Sequence, residues 1–138
     1  MLEIRGGGTR DLWEIATIQA ASAGAAEWPA ADYLAYDLRV AVYGGHVAGF
    51  LVARRVAEGE SEILNLAVAP EFRRRGFARA LVESLLKGAG GDVFLEVRSS
   101  NSGARELYKS LGFQEVSVRQ EYYAMPVEAA IVMKFHSC

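Results

Sequence analysis

The segment from Ile63 to Leu86 constrains the fold more than any other part of the chain, because it changes character twice: ILNLAVAPEFRRRGFARALVESLL. Its first six residues are mostly branched or aliphatic, which predicts a short buried strand. Pro70 ends that strand, since proline has no N–H to donate to a strand ladder. After the arginines, apolar residues recur at helical spacing and predict one buried helix face. Those residues are Phe77, Ala78, Leu81, Val82 and Leu85.

Between the strand and the helix lies a basic turn, Arg73-Arg74-Arg75, which is followed by Gly76. A helix start leaves backbone N–H groups unpaired and carries partial positive charge. Gly76 lets an anion approach the main chain, and the guanidinium groups add forked donors that suit phosphate. The turn therefore predicts a phosphate or pyrophosphate site, with a solvated basic turn as the alternative. The sequence contains neither the Walker pattern GxxxxGK(S/T) nor the Rossmann pattern GxGxxG.

Length and composition narrow the class of protein. A chain of 138 residues predicts a single domain over residues 1–138. With 17 acidic and 15 basic residues the net charge is −2, so composition predicts no nucleic-acid or membrane partner. No apolar run approaches the ~18 residues of a membrane helix. The lone Cys138 cannot form an internal disulfide, which fits a reducing cytoplasm. His46 and His136 are well separated, so no metal site is predicted.

Two helices are expected early in the chain, after a short strand at Leu2–Arg5. Thr9 or Asp11 caps the first helix. The second is expected to begin near Pro29, because proline is accepted at the first helical position. Its apolar face would be formed by residues four apart in sequence. These residues are Ala30, Leu34 and Leu38.

A β-hairpin follows, because Gly44-Gly45 lies between two strand-like runs, Arg39–Tyr43 and His46–Val56. Gly49 inside the second run predicts a bulge or the close approach of another backbone. The next turn, Glu58–Glu60, leads into the strand at Ile63. Three antiparallel strands in series are therefore expected before the basic turn.

The second half of the chain predicts a strand, a helix and two further strands. Asp92–Arg98 has the apolar content of a short strand. Asn101 is a good N-cap for the helix that follows, and Gly112 is expected to end that helix. The remaining elements are expected to be a strand at Gln114–Arg119, a loop at Glu121–Pro126 and a last strand at Glu128–Phe135.

Several blocks of the sequence together resemble the GCN5-related N-acetyltransferase (GNAT) superfamily. The pattern Arg73-x-x-Gly76-x-Ala78, after the LAV of residues 66–68, resembles its acetyl-CoA signature. Four more blocks occur in the same order as in that superfamily. They are EVRSSN (96–101), LYKSLGF (107–113), RxxYY (119–123) and AIVM (130–133). Within the superfamily the chain is most similar to the ribosomal-protein-alanine N-acetyltransferases, above all from about Ile63 to Phe113.

The resemblance implies a mixed α/β fold, the GNAT fold. This fold has a twisted, mixed, mainly antiparallel sheet of about six to seven strands, with helices on both faces. Acetyl-CoA would be the cosubstrate, without a metal, and would lie where the fourth and fifth strands splay apart. Its contacts would come from the end of the fourth strand, the basic turn and a later helix start. These residues are Leu66, Ala67, Val68, Arg73, Arg74, Arg75, Gly76, Phe77, Ala78, Arg79 and Asn101.

The resemblance also implies that Glu96 is the general base and Tyr108 the general acid of a direct acetyl transfer. The acceptor would be the amino-terminal alanine of a ribosomal protein in the cytoplasm, with a small-subunit ribosomal protein as the candidate partner. Aminolysis of a thioester needs a neutral amine, so a carboxylate that takes its proton suits the reaction. The alternative for Glu96 is an ordinary strand carboxylate paired with Arg98 or Arg119. The alternative for Tyr108 is a core residue with a satisfied hydroxyl.

The acceptor is less constrained than the cofactor. Candidate contacts are Trp28, Tyr33, Tyr122 and Tyr123, and core or hinge positions are the alternative for the first two. The segment AMPVE after the tyrosine pair is shorter than in the family, and Ala129 stands where the family usually has an acidic residue. A small amine, a lysine or another protein N-terminus is therefore an alternative acceptor. A non-catalytic acetyl-CoA-binding module is a third interpretation, although such a module would need neither Glu96 nor Tyr108.

Overall fold

The computed structural model describes residues 1–22, 28–124 and 127–136. Within these ranges the strands are β1 (Glu3–Gly6), β2 (Asp37–Tyr43), β3 (His46–Ala57), β4 (Glu60–Val68), β5 (Asp92–Arg98), β6 (Gln114–Ala124) and β7 (Val127–His136). The α-helices are α1 (Leu12–Ala20), α2 (Phe77–Ala89) and α3 (Ser102–Ser110). Short 3₁₀ helices lie at Thr9–Asp11, Ala30–Ala35 and Pro70–Phe72. Residues 23–27, 125–126 and 137–138, which include Pro126 of the expected loop and Cys138, lie outside the described residues.

The strands form a seven-stranded sheet in the order β1-β2-β3-β4-β5-β7-β6. Strands β4 and β5 pair in parallel, whereas the β1–β2, β2–β3, β5–β7 and β6–β7 pairs are antiparallel. This arrangement confirms the mixed, mainly antiparallel sheet that the sequence predicts. The residues fall into two compact units. The first unit is Met1–Arg54 with Ile63–Gly88, and the second is Arg55–Glu62 with Ala89–Cys138.

Helix α1 and strands β2 and β3 contribute residues to the core of the first unit. Ile15 and Ile18 of α1 are buried together with alternate residues of β2 and β3, such as Val40, Phe50 and Val52. Gly44 and Gly45 have φ of +60° and +81°, which confirms the predicted tight hairpin turn. A Cβ at Gly49 would lie 2.9 Å from the carbonyl oxygen of Ala67, which confirms the predicted close backbone approach.

The prediction of a second helix that reaches Leu38 is wrong. A 3₁₀ helix covers Ala30–Ala35, and Leu38 belongs to strand β2 with its side chain buried. The spacing of Ala30, Leu34 and Leu38 therefore spans two different elements. Leu38 is buried through strand alternation, because Val40 follows on the same face and is also buried.

Helix α2 begins at Phe77, one residue after the glycine, as the sequence predicts. Phe77, Leu81, Val82 and Leu85 are buried, so they form the predicted apolar face. The described residues contain no helix that is long and apolar enough to span a membrane.

In the second unit, β5 lies between β4 and β7, and β7 pairs with β6 at the edge of the sheet. The predicted limits of β5, Asp92–Arg98, are those of the structure. Asn101 accepts a hydrogen bond from the Ala104 N–H at 3.1 Å, which confirms it as the N-cap of α3. Gly112 has φ of +101° and ends that helix as predicted.

The expected loop at Glu121–Pro126 is wrong for its described part, because β6 continues to Ala124. The strand passes through an irregularity between Arg119 and Tyr123, where Glu121 takes a left-handed φ of +51°. Such a bulge keeps the strand paired while it changes the direction of the side chains. The consequence is that Tyr122 and Tyr123 lie on a strand, with Tyr123 opposite Glu128 of β7.

Candidate active site

In the first unit, the basic turn is attached to the end of β4 through Arg73. The Arg73 Nε donates to the Val68 carbonyl oxygen at 3.0 Å, and its Nη2 lies 3.4 Å from the Ser22 hydroxyl. The next arginine, Arg74, takes a left-handed φ of +63°. Arg73 thus fixes where the turn begins, since its side chain reaches back to the strand that precedes it.

Gly76 closes the turn with φ of +82°, a conformation that glycine adopts without steric cost. A Cβ placed there would meet nothing within 4 Å, so the space in front of the main chain is open. The N–H groups of Phe77 and Ala78 are in the first turn of α2, where no intrahelical acceptor exists for them. Open space, unpaired N–H groups and exposed cationic side chains together fit an anion such as pyrophosphate.

An aromatic cluster packs against the basic turn. The Arg75 guanidinium lies 5.6 Å from the ring centre of Tyr43 and 5.8 Å from that of Phe72. Phe77 packs beside both rings, at 5.4 Å from Tyr43 and 6.0 Å from Phe72. These cation–π contacts hold one guanidinium group near the helix start.

The end of β4 carries the predicted pantetheine contacts Leu66, Ala67 and Val68. The parallel pairing of β4 with β5 comprises three residue pairs, from Glu60–Asp92 to Glu62–Phe94. The Leu66 N–H donates to the side chain of the neighbouring Asn65 at 2.9 Å. The last residues of β4 therefore lie beyond that pairing, as a strand that receives an extended ligand would require.

Tyr33 lies in the core of the first unit, which corrects its assignment as an acceptor contact. Its side chain is 0% exposed and packs on Phe50 with ring centres 5.8 Å apart. Its hydroxyl donates to Gln19 and accepts from the Asn65 amide at 3.1 Å. Burial raises the pKa of Tyr33, so the hydroxyl keeps its proton. Trp28, in contrast, is 42% exposed.

In the second unit, Glu96 projects from β5 on the face opposite to the buried Val93, Leu95 and Val97. Its side chain is only 20% exposed, and its Oε2 lies 3.7 Å from the Arg119 Nε. That distance is too long for a hydrogen bond. Among the described residues, Glu96 Oε2 is a buried side-chain oxygen that accepts no hydrogen bond. This oxygen therefore keeps its capacity to accept a hydrogen bond or a proton from another group.

The ion pair with Arg119, which was the alternative to a general-base role for Glu96, is thus present only as a loose contact. The same guanidinium lies 5.4 Å from the ring centre of Tyr122, and Tyr122 packs edge-on against Tyr123. Burial, and then the charge of Glu96, raises the pKa of Tyr123. The structure therefore brings Glu96, Tyr122 and Tyr123, which are far apart in sequence, into one cluster.

Tyr108 lies on the other face of β5. It is 5% exposed and packs against Phe113, which in turn packs on Phe135, the β7 partner of Val93. Since Val93 faces away from Glu96, Tyr108 and Glu96 flank β5 from opposite sides. Burial raises the pKa of Tyr108, so the phenol is protonated at neutral pH and suits an acid more than a base.

Sequence reasoning missed the role of Glu128. Its carboxylate accepts hydrogen bonds from the Ser100 N–H at 2.5 Å and the Ser99 hydroxyl at 3.1 Å, and it lies 3.4 Å from Arg98. These partners lie on β5 and in the turn before α3. The sequence offered one signal for this role: Glu128 directly precedes Ala129, and Ala129 occupies the position at which the family usually has an acidic residue. Ala129 contributes its carbonyl oxygen instead, which accepts from Ser99 N–H at 3.0 Å.

Metal ligands do not gather in the part of the chain that the structure describes. It contains no group of three or more His, Cys, Asp or Glu side chains that could hold an ion. The second histidine, His136, instead pairs with Asp92 at 2.5 Å at the edge of the second unit.

Known proteins match this chain in sequence and in structure. A model of the acetyltransferase (GNAT) family matches residues 7–113. The [ribosomal protein bS18]-alanine N-acetyltransferase of Escherichia coli (strain K12) is 39% identical over 95 residues, which cover 66% of this chain and 62% of the relative. A Mycobacterium tuberculosis protein named N-alpha-acetyltransferase RimI is 38% identical over 95 residues, which cover 66% of this chain and 60% of the relative. The matched regions thus span less than two thirds of these curated relatives.

Solved structures match over a larger share of both chains. The crystal structure of the ribosomal-protein-S18-alanine N-acetyltransferase from Escherichia coli has a TM-score of 0.85 and 31% identity, covering 99% of this chain and 94% of that one. That of Ard1 from Thermoplasma volcanium has a TM-score of 0.90 and 27% identity, covering 99% and 98%. The matched family model covers well over half of the sequence, and it includes the basic turn, Glu96 and Tyr108. The chain therefore belongs to the GNAT acetyltransferase family.

Proposed function

We propose that this protein is an acetyl-CoA-dependent N-acetyltransferase that transfers the acetyl group directly to a primary amine. The acceptor we favour is the amino-terminal alanine of a ribosomal protein, and the catalytic domain is residues 1–138. The observation that carries the proposal is the Glu96 carboxylate, whose buried Oε2 accepts no hydrogen bond from the described residues. An approaching amine, or a water between them, would supply the missing donor.

Each reacting residue has one task in this proposal. Glu96 takes a proton from the acceptor amine, which attacks in its neutral form; a free α-amine has a pKa of about 7.7–8.0. Acetyl-CoA supplies the activated acetyl thioester. As the nitrogen–carbon bond forms and the carbon–sulfur bond breaks, the Tyr108 hydroxyl gives its proton to the departing sulfur. The positions of Glu96 and Tyr108 on opposite faces of β5 support separate roles for the two residues.

The basic turn would hold the pyrophosphate of acetyl-CoA. The donors would be the N–H groups that follow Gly76 and the guanidinium groups of Arg74, Arg75 and Arg79. The main chain of Leu66–Val68 would pair with the pantetheine arm. Asn101, which caps α3 in the second unit, stays an acetyl-CoA contact predicted from the sequence. The open space at Gly76 supports this assignment, because a side chain there would stand between the main chain and the anion.

The acceptor would contact Tyr122 and Tyr123 in the second unit. Trp28, in the first unit, stays a contact predicted from the sequence alone. The curated relatives support an amino-terminal alanine, since several are named for the alanine of ribosomal protein bS18. An exposed Tyr122 beside the loosely paired Glu96 supports an acceptor that reaches the carboxylate with its amine end first.

A mass-spectrometric acetylation screen tests this function. The purified chain is incubated with acetyl-CoA and a peptide panel in which only the first residue varies. Acetylation is expected to be fastest with alanine, slower with serine or glycine, and slow with bulky residues. The matched control peptide carries a blocked N-terminus and one internal lysine, and it is expected to react poorly.

The outcome separates the candidate functions. Faster acetylation of the blocked lysine peptide or of free polyamines than of the alanine peptide would contradict the ribosomal-alanine acceptor. The acceptor would then be another amine, which the unusual Ala129 position also favours. Binding of acetyl-CoA without transfer to any amine would contradict the enzyme and leave a binding module.

A further inference from the structure

We propose that Glu128 is a positioning residue for the acceptor, because it holds Arg98 against the ring of Tyr123. This inference rests on the proposed function and adds a residue to its acceptor side. Glu128 is neither one of the proposed acetyl-CoA contacts nor one of the two proposed catalytic residues.

The Glu128 carboxylate is anchored by three neighbours in the second unit. It accepts from the Ser100 N–H at 2.5 Å and from the Ser99 hydroxyl at 3.1 Å, and the Arg98 Nη1 lies 3.4 Å away. The side chain is only 13% exposed, so water screens these contacts weakly. The anchor therefore joins the first residues of β7 to the turn between β5 and α3.

Arg98 connects Glu128 to Tyr123, which is a proposed acceptor contact. Its guanidinium carbon lies 4.2 Å from the ring centre of Tyr123, within the range of a strong cation–π contact. The register explains the meeting, because Arg98 pairs with Ala130, and Tyr123 pairs with Glu128 two residues earlier on the same face of β7. The face that bears Glu96 thus also bears Arg98 and Glu128.

The neighbouring pair of Arg119 and Tyr122 is a more loosely held cation–π contact. The Arg119 side chain is 58% exposed and lies 5.4 Å from its ring, whereas Arg98 is 23% exposed and lies 4.2 Å from its ring. The closer and less exposed contact is expected to restrict the Tyr123 ring more than the Tyr122 ring. A ring that is already restricted lowers the ordering cost of binding a chain end, so Glu128 is expected to act on acceptor affinity.

Steady-state kinetics of three variants test the inference with the preferred peptide from the panel. Glu128→Ala is expected to raise the acceptor KM about ten- to a hundredfold, the worth of a lost charge-assisted hydrogen bond, with kcat nearly unchanged. Glu128→Gln keeps an oxygen for the Ser100 N–H and should raise KM less. Arg98→Lys keeps the charge but loses the planar contact with Tyr123, and it should resemble Glu128→Ala. The double variant should not be additive, since both residues act on one ring.

The matched control is Asp92→Ala, which removes a comparable ion pair in the same unit. Asp92 pairs with Lys134 at 3.2 Å and His136 at 2.5 Å, at the end of β5 opposite to Arg98. It should lower stability without changing the acceptor KM. Amide hydrogen exchange gives a readout that is independent of activity. The Ser100 N–H should exchange faster in Glu128→Ala and at the wild-type rate in Asp92→Ala.

The results distinguish the two proposals. An active wild-type chain whose acceptor KM is the same in Glu128→Ala and Arg98→Lys would overturn the positioning role alone. A protected Ser100 amide in Glu128→Ala would overturn the anchor itself. A wild-type chain that acetylates no amine would overturn the proposed function, and the positioning role with it.

Discussion

The two units carry candidate sites of opposite construction. In the first unit the site is a single turn whose Arg73, Arg74, Arg75 and Gly76 are all exposed and whose donors are largely main-chain groups. In the second unit the site combines side chains from β5, β6 and β7, and most of their charges are balanced in ion pairs. Binding an anion needs little more than a helix start and glycine. Proton transfer needs a base that is held within reach of the amine, and the residues around Glu96 come from parts of the chain that are distant in sequence.

This contrast predicts that binding and chemistry can be lost separately. Substitutions at Glu96, Gly76 and Tyr108 test that separation, and their expected effects decrease in that order. A tenfold change in rate or affinity corresponds to about 1.4 kcal/mol.

The largest effect is expected from Glu96→Gln. Turnover should fall about 10²–10⁴-fold, the usual worth of a general base, because the amide cannot take the proton of the amine. Acetyl-CoA affinity should be unchanged, since the basic turn is intact. Part of the activity should return at higher pH, where more of the amine is already neutral. Single-turnover rates across a pH series, with Glu115→Gln as control, give the measurement; full activity in Glu96→Gln would place the base elsewhere.

Gly76→Asp is expected to have the opposite effect, because it should weaken acetyl-CoA binding while the protein still folds. Wild-type stability should rise by about 2.7 kcal/mol at an acetyl-CoA concentration of 100 times the Kd. The added carboxylate would repel the pyrophosphate, and a hundredfold weaker Kd would reduce that gain to about 0.4 kcal/mol. Thermal unfolding with and without acetyl-CoA measures both values.

A matched control removes the effect of backbone strain from this test. Gly45 has φ of +81° against +82° at Gly76, and at both positions a Cβ would meet nothing within 4 Å. Gly45→Asp therefore carries the same strain and the same new charge in a hairpin turn. Acetyl-CoA should stabilise Gly45→Asp as much as the wild type. Equal stabilisation of Gly76→Asp would mean that Gly76 does not line the anion site.

Tyr108→Phe is expected to have a smaller effect, about a tenfold loss of turnover. This is less than the usual worth of a general acid of about 10²–10⁴, because a thiolate can leave without a proton. The ring packing on Phe113 is retained, so stability should change little. High pH should rescue less of the loss than in Glu96→Gln, because the missing proton serves the sulfur and not the amine. Tyr33→Phe is the control: it removes a buried hydroxyl that Asn65 and Gln19 use, so it should lower stability and spare turnover. A loss of turnover in Tyr33→Phe alone would contradict its core role.

The same contrast explains how much of the molecule the sequence could predict. The strand, turn and helix from Ile63 to Ala89 are contiguous, and their signals are local: a proline, a glycine and a fourfold apolar spacing. Strand β5 was equally clear because its apolar residues end at polar turns. The candidate anion site therefore follows almost entirely from local patterns.

The errors occur where tertiary structure decides. Ala30, Leu34 and Leu38 have helical spacing, yet a 3₁₀ helix ends at Ala35 and a strand takes up Leu38. The position of Tyr33 was open in the sequence, because an aromatic residue serves a core and a binding surface equally well. The anchor at Glu128 depends on the register of β5, β6 and β7 and on a bulge at Glu121, and no local pattern specifies such a register.

The smallest expected effect concerns acid stability, and it compares one carboxylate from each unit. In the first unit the Asp11 carboxylate accepts two hydrogen bonds from Arg5 at 2.9 Å each and one from the Gly8 N–H at 2.9 Å. The Arg5 hydrogen bonds lower the pKa of Asp11. In the second unit hydrogen bonds from Ser100 lower the pKa of Glu128.

The sign of the pH dependence follows from these directions. A carboxylate whose pKa is lowered by folding stabilises the protein above its unfolded pKa of about 3.9–4.3, and that contribution is lost as the pH falls through the folded value. Asp11→Asn should therefore flatten the acid limb of a thermal-stability profile between about pH 5 and pH 2 by about 1 kcal/mol. Glu128→Gln should flatten it less, because the Glu128 side chain is 13% exposed against 4% for Asp11. Unfolding midpoints at closely spaced pH values measure both slopes. An acid limb that Asp11→Asn leaves unchanged would mean that the Arg5–Asp11 pair does not persist in solution, and a larger effect from Glu128→Gln would make the second unit the acid-sensitive one.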